Sequence, residues 1–326
     1  MTVLVTGSAG HLGEALVRLL RERGEPARGI DRKASAFTDL VGTICDRGFV
    51  REAMCGVRAV LHTATLHKPH IVTHCRQDFV DTNVTGTLVL LEEAARAGAG
   101  AFVQTGTTSA FGDAMAHEPG QPAIWIDEDV TPIPRNIYGA TKLAAEHLCR
   151  EVARNDGLPV TILRTSRFFP EDDDSATARE SFTQDNLQAL ELLHRRADIA
   201  DMASAHLLAI ERAAEAGVGP FIVSATTPFT EADLAALGCD AGAVVRALFP
   251  ESEALFAARG WRFPKAMDRV YSNRRAREAL GWRPQYDFRH VLECLSQGRD
   301  FRSALALTVG SKGYHDEVFA DGPYPV

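Results

Sequence analysis

MTVLVTGSAGHLG opens the chain over residues 1–13 and carries three signals in one short segment. Thr2 to Thr6 is an apolar, β-branched run, the pattern of a strand buried on both faces. Gly7, Gly10 and Gly13 follow, and EALVRLLRERG (14–24) then places apolar residues at helical spacing. Strand, glycine turn and helix in that order predict a nucleotide-binding loop. Backbone amides at a helix N-terminus hold a pyrophosphate where no Cβ blocks its approach. Gly7, Gly10, His11, Leu12 and Gly13 are the expected lining of that loop.

The second strand extends the prediction. PARGIDR (26–32) ends in Asp31, roughly twenty residues after the glycines, where a carboxylate accepts hydrogen bonds from a ribose diol. Such a carboxylate repels the extra phosphate of NADP, so NAD is the expected cofactor. Arg32 and Lys33 follow, placed to stack on an adenine or to tolerate that phosphate. The plainer alternative is that Asp31 caps a loop.

Bulk composition narrows the class. The chain has 326 residues, long enough for one large core or for a core with a smaller lobe. A net charge of −8 gives no reason to expect nucleic acid or an anionic membrane as partner. No apolar run has the length of a bilayer span, and the chain starts on a strand rather than a signal peptide. Six cysteines without a CxxC pair predict reduced thiols and a cytoplasmic protein.

Along the chain, strand-like runs (AVLHTAT, AFVQTGTTS, PVTILRTS, PFIVSA) alternate with helical stretches such as VTGTLVLLEEAARAG and KLAAEHLCREVARN. That alternation predicts an α/β fold with a doubly wound parallel sheet, whose ligand crevice lies at the carboxyl ends of the strands. After Ala225 the pattern weakens into helices and short strands, suited to a smaller substrate-covering lobe. Residues 1–168 with 198–226 are expected to form the nucleotide-binding domain, and 169–197 with 227–326 the lobe.

YGATK sets Tyr138 and Lys142 four apart at the start of a helix, on one face. An ammonium beside a phenol favours phenolate, so Lys142 is expected to lower the Tyr138 pKa toward the working range. A tyrosine of that kind exchanges a proton with a carbinol while hydride moves to or from a nicotinamide. TGTTSAFG (105–112), at the end of the preceding strand, offers Thr105, Thr107, Thr108 and Ser109 as hydroxyl partners, some of which merely cap the next turn.

These motifs together resemble the extended short-chain dehydrogenases/reductases, in the group of nucleotide-sugar 4-epimerases, sugar dehydratases and related dehydrogenases. The resemblance covers residues 1 to about 170 and returns in ADIADMASAHLLAI (197–210) and DRVYSNRRAREALGWRP (268–284). It implies a Rossmann fold binding NAD, with Gly7, Gly10 and Gly13 as the GxxGxxG loop and Asp31 as the ribose acid. HTAT (62–65) resembles the segment that lines the cofactor, which adds His62 and Ala64; Ile44 and Thr165 are further implied contacts. Asn83 sits where the family has its structural Asn. Tyr138 and Lys142 match YxxxK, and counting back from Gly112 sets the catalytic hydroxyl at Thr107. A homodimer joined through the helices after Asn83 and around Tyr138 is implied as well.

Departures from the family pattern shape the expected substrate. Family dehydratases follow the catalytic Thr with an Asp-Glu pair, whereas Thr107 is followed by Thr108 and Ser109, which argues against a dehydratase. LRTSRFFP (163–170) has Arg167 where the family usually has an Asn that helps hold the sugar nucleotide. Arginine binds phosphate or carboxylate well, and the segment from Pro170 to Asp198 is short for one that encloses a nucleoside diphosphate, so the acceptor is expected to be sugar-like and anionic, and smaller than a sugar nucleotide. His67, Thr107, Thr108, Arg167, Arg262 and Arg269 are the expected substrate contacts; for the last two, surface charge on the lobe is the competing reading. The function expected is an NAD-dependent epimerase-like transfer of hydride at a carbinol or ketone carbon of a sugar, sugar derivative or sugar nucleotide. Its alternatives are a simple dehydrogenase of a sugar acid or polyol, and a non-catalytic nucleotide sensor on the same fold.

Two further signals carry less. His70 and His74 have helical i, i+4 spacing but no HExxH pattern or carboxylate ligand, so no metal is expected. PEDDDS (170–175) reads as a solvated, mobile loop, and the tail GSKGYHDEVFADGPYPV (310–326) suggests no function.

Overall fold

The computed structural model describes residues 1–313 and residue 319; most of the C-terminal tail lies outside the described residues. Among the described residues, nine strands run β1 (Thr2–Thr6), β2 (Ala27–Asp31), β3 (Leu40–Val41), β4 (Val57–His62), β5 (Ala101–Thr107), β6 (Ile124–Ile126), β7 (Val160–Thr165), β8 (Phe221–Val223) and β9 (Arg269–Tyr271). Seven of them form one parallel sheet in the order β3-β2-β1-β4-β5-β7-β8. The helices are α1 (His11–Glu22), α2 (Arg47–Ala53), α3 (Arg76–Val80), α4 (Gly86–Arg96), α5 (Ile137–Asn155), α6 (Ala176–Ser181), α7 (Gln184–Glu191), α8 (Ile199–Ala216), α9 (Leu234–Leu248), α10 (Ser252–Ala257), α11 (Arg274–Leu280), α12 (Phe288–Ser296) and α13 (Ala304–Val309).

The alternation along β1 shows how the sheet is wrapped. Val3 and Val5 join one core with Leu12, Leu16 and Leu20 of α1 and Met202 and Ala205 of α8. Leu4, pointing the other way, joins a second core with Val50 of α2, Leu90 of α4 and Val152 of α5. A strand buried on both faces has no polar side to offer, which is why this run is continuously apolar. Helices on both faces make the fold doubly wound, as expected. Because the chain turns from β1 to β2 on one side and the sheet continues through β4 on the other, the crevice opens at the carboxyl ends of β1 and β4.

A third core, built on Leu190 and Leu193 with Leu237, Val245, Phe256, Val291 and Leu292, holds the smaller lobe. β6 pairs with β9 there in a separate two-stranded parallel sheet. Ala276, Leu280, Trp282 and Val309 pack instead with α1 and α8, so the late chain returns to the large sheet after building the lobe. Among the described residues no helix is long and apolar enough to cross a membrane.

Candidate active site

The glycine turn leaves β1 at Gly7, whose φ of +71° is a backbone conformation that glycine adopts at little cost. A Cβ on Gly13 would lie 2.0 Å from the Gly7 carbonyl oxygen, so Gly13 allows the first turn of α1 to pack on the loop. Gly10 is the N-cap of α1, and no side chain caps that end. Its Cβ would come no nearer than 3.3 Å to the Gly7 oxygen. Gly10 therefore keeps the approach to the helix N-terminus clear, while Gly7 and Gly13 serve the loop's own geometry. Leu12 turns into the core at 4% exposure, which leaves its backbone as the part able to meet a ligand.

Asp31 ends β2 and ties down the turn: Oδ2 accepts from Ala9 N–H at 3.0 Å and Oδ1 from Lys33 N–H at 2.8 Å. The loop-cap reading is thus part of its role, with carboxylate lone pairs still available to a diol. Arg32 and Lys33 are exposed beside it. Ile44 is buried against Gly86, whose Cβ would meet the Ile44 side chain at 2.6 Å; it packs the core beneath the site.

His62, at the end of β4, departs from expectation. Its ring nitrogens bond the hydroxyls of Thr6 (2.8 Å) and Thr87 (3.0 Å), and only 1% of the residue is exposed. Burial, helped by the nearby Lys142, pushes its pKa down to about 3, so it is a neutral strut rather than a cofactor-lining group. After it, the N–H groups of Thr63 and Ala64 donate to Thr6 Oγ1 and set the chain against Gly7. Thr165 is likewise turned inward, donating to the Gly106 carbonyl at 3.0 Å.

Tyr138, Lys142 and Thr107 converge. Asn136 caps α5, accepting from Gly139 N–H at 3.0 Å. Gly139 lets the helix start approach the Ser109 carbonyl, which a Cβ would meet at 3.2 Å. That close approach sets the Tyr138 phenol near the Thr107 hydroxyl at the end of β5, whose oxygen accepts from Ser109 N–H at 3.1 Å. Leu66 and Phe79 pack around the Tyr138 ring. Burial therefore pushes the phenol up to about 12, only partly opposed by Thr107. The expected lowering by Lys142 is not what the structure gives. Lys142 is itself buried, at 3% exposure, and desolvation brings it down to about 8 against the pull of Cys149 and Glu146. Thr108 donates to the Thr165 carbonyl at 3.4 Å, so it braces β7.

Asn83 holds this centre together. Its carboxamide accepts from Leu66 N–H, donates to the Leu66 carbonyl at 2.8 Å, and donates to Thr141 Oγ1 at 3.1 Å. Behind Lys142, Arg164 of β7 forms a bidentate pair with Glu146 of α5 at 2.8 and 2.9 Å, both buried. Sequence reasoning missed that pair, although an arginine inside an apolar strand run is a signal that a buried carboxylate must meet it.

The remaining predicted substrate contacts separate. His67 lies in the crevice, its ring 6.4 Å from that of Tyr138 and 5.5 Å from that of Phe169. Arg262 has an exposed side chain on the lobe, with its backbone clamped by Asn186, as the surface-charge alternative has it. Arg269 is held by Asp268 and by the Tyr271 hydroxyl (3.1 Å), within the β6-β9 sheet. Arg167 pairs with Asp173 at 2.5 Å.

That last contact corrects the reading of PEDDDS as a solvated, mobile loop. Glu171 pairs with His11 at 2.7 Å and accepts from Ser311 and Lys312. Asp173 is 3% exposed, and Asp174 pairs with Lys68. The segment follows β7 into the crevice, where cations from other elements wait for it. Among the described residues, no group of three or more His, Cys, Asp or Glu is placed to hold a metal ion.

The family model for NAD dependent epimerases/dehydratases matches residues 3–223. The chain belongs to the NAD dependent epimerase/dehydratase family. A UDP-glucose 4-epimerase of Rhizobium meliloti is 27% identical over 335 residues, covering 89% of this chain and 94% of that one. A sterol demethylase protein B of Methylococcus capsulatus is 37% identical over 173 residues, half of each chain. The chain spans 40% and 50% of the length of two of the curated family relatives it matches. Among solved structures, a short-chain dehydrogenase/reductase superfamily protein from Agrobacterium tumefaciens with bound NAD superposes with a TM-score of 0.65. It is 26% identical, over 91% of this chain and 96% of that one.

Proposed function

We propose that the chain is an NAD-dependent enzyme moving hydride at a carbinol or ketone carbon of a sugar derivative, in the manner of a nucleotide-sugar epimerase. The observation that carries this reading is the placement of the buried Tyr138 phenol near Thr107 at the end of β5, with Lys142 buried one helical turn away. NAD is favoured by the clear approach over Gly10, the uncapped N-terminus of α1 and the carboxylate of Asp31. When bound, NAD supplies the hydride acceptor.

The protein's own groups manage the proton. Thr107 orients the substrate oxygen toward Tyr138, and Tyr138 exchanges the carbinol proton. With its proton held by burial, Tyr138 is poised as an acid for the reductive half-reaction. In the oxidative half the same phenol, once ionised, takes the carbinol proton, with Lys142 buried one helical turn away. Epimerisation runs the two halves in succession on one bound substrate, whereas a dehydrogenase stops after the first. The absence of an acid pair after Thr107 supports epimerisation over dehydration, and the full-length likeness to a 4-epimerase points the same way. The test is to incubate the NAD-loaded protein with a panel of UDP-hexoses and separate the products. Interconversion of C4 epimers without net NADH supports the reading, and stoichiometric NADH release supports the dehydrogenase instead.

A further inference from the structure

Three ion pairs meet in the segment 170–175, which follows β7 beside the Tyr138 centre. Its three paired carboxylates reach three different elements. Glu171 takes His11 on the glycine turn, Asp173 takes Arg167 at the exit of β7, and Asp174 takes Lys68 at the exit of β4. Arg167 stands two residues beyond Thr165, the β-sheet partner of Thr107, and Lys68 adjoins His67, which faces Tyr138. The cations that border the acceptor crevice are therefore paired with carboxylates of the protein itself.

We propose that loop 170–175 is an internal stand-in for an acidic group on the substrate, and that an oxyanion, phosphate or carboxylate, displaces Asp173 and Asp174 from Arg167 and Lys68. The proposal rests on the assignment of this crevice as the acceptor site and names the class of acceptor it takes. Displacing the loop would leave Arg167 with Glu191 at 3.8 Å and remove Asp174 from Lys68, and a half-buried cation short of counter-charge is costly, so the loop carboxylates hold the site until the substrate arrives. An incoming oxyanion keeps both cations paired and returns two carboxylates to water. A neutral sugar of the same shape gives Arg167 and Lys68 nothing in exchange, so the loop discriminates against it.

The test uses NAD-loaded full-length protein with glucose 1-phosphate, glucuronate and glucose as probes. Calorimetry is expected to show either oxyanion binding at least about tenfold tighter than glucose. The tighter of the two identifies the acceptor group as phosphate or carboxylate. Hydrogen–deuterium exchange of the 168–182 backbone is expected to speed up with the oxyanion, relative to chloride at equal ionic strength. An ordinary ligand that closed the loop would slow it. The variant D173N/D174N is expected to bind the oxyanions about fivefold tighter and glucose unchanged, and Arg167→Gln to weaken them. Oxyanions binding no better than glucose, slowed exchange in the wild type, or no gain in the double variant would each overturn the proposal. NAD affinity is titrated on the same samples, so a failure of the cofactor reading is seen separately from a failure of the exchange.

Discussion

Asn83 donates its side-chain N–H to Thr141 Oγ1 at 3.1 Å, one residue before the buried Lys142. The same carboxamide grips both polar groups of Leu66, so the exit of β4 and the start of α5 are fixed to each other by one side chain. Asn83→Ala strands the Leu66 N–H in the interior and leaves its C=O only the Thr65 hydroxyl at 3.0 Å. A loss of about 2–3 kcal/mol is expected, read as a lower midpoint in urea unfolding with unchanged slope.

Removing the phenol hydroxyl separates chemistry from binding. Tyr138→Phe keeps the ring packed against Leu66 and Phe79 and removes the hydroxyl that lies near Thr107. NAD affinity is expected to stay within about threefold while kcat drops about 10²–10⁴-fold. Thr107→Ala, which spares the acid-base group, is expected to cost less. Steady-state kinetics beside an NAD titration reads both.

The glycines divide by what surrounds them. A methyl on Gly13 collides with the Gly7 carbonyl at 2.0 Å, so Gly13→Ala is expected to cost about 3 kcal/mol of stability. Gly10→Ala meets only a 3.3 Å contact and should fold with a nearly native Tm, yet bind NAD more weakly. Thermal unfolding and cofactor titration on the two variants distinguish a packing glycine from a ligand-approach glycine.

Glu171 gives the fold an acid limit. Burial raises its pKa, but the hydrogen bond and charge of His11 outweigh burial together with Ser311 and hold it at about 2, below the ordinary 4.5. Because the folded value lies below the unfolded one, the stabilisation is complete above about pH 4.5 and fades as pH falls toward 2. The size of the shift corresponds to about 3 kcal/mol. Glu171→Gln is expected to lie below wild type by up to that amount at pH 6 and to converge with it near pH 2. Urea unfolding across that range measures the difference.

What could be read from the chain follows the range of the interactions. The glycine turn, Asp31 and the Tyr138–Lys142 spacing are local, each set within one strand-turn-helix unit, and all three sit where their spacing implies. The role of His62 was not legible, because Thr6 and Thr87, which seal it, come from distant segments. The direction of the Tyr138 pKa was not legible for a related reason: spacing puts Lys142 on the same helix face, while the burial that governs the phenol comes with Leu66 and Phe79 packed around it. The acidic loop reads as solvated because its charges are adjacent in sequence and its partners are not. Lys68 lies 106 positions from Asp174 and finds it only in the fold.

The dinucleotide site bears the most weight and is tested by titrating the purified protein calorimetrically with NAD and, separately, with NADP. Expected is one NAD per chain, bound at least about tenfold tighter than NADP because of Asp31, with the preference narrowed by Asp31→Asn. No NAD binding up to millimolar concentration, or a preference for NADP, would contradict the proposed chemistry at its foundation.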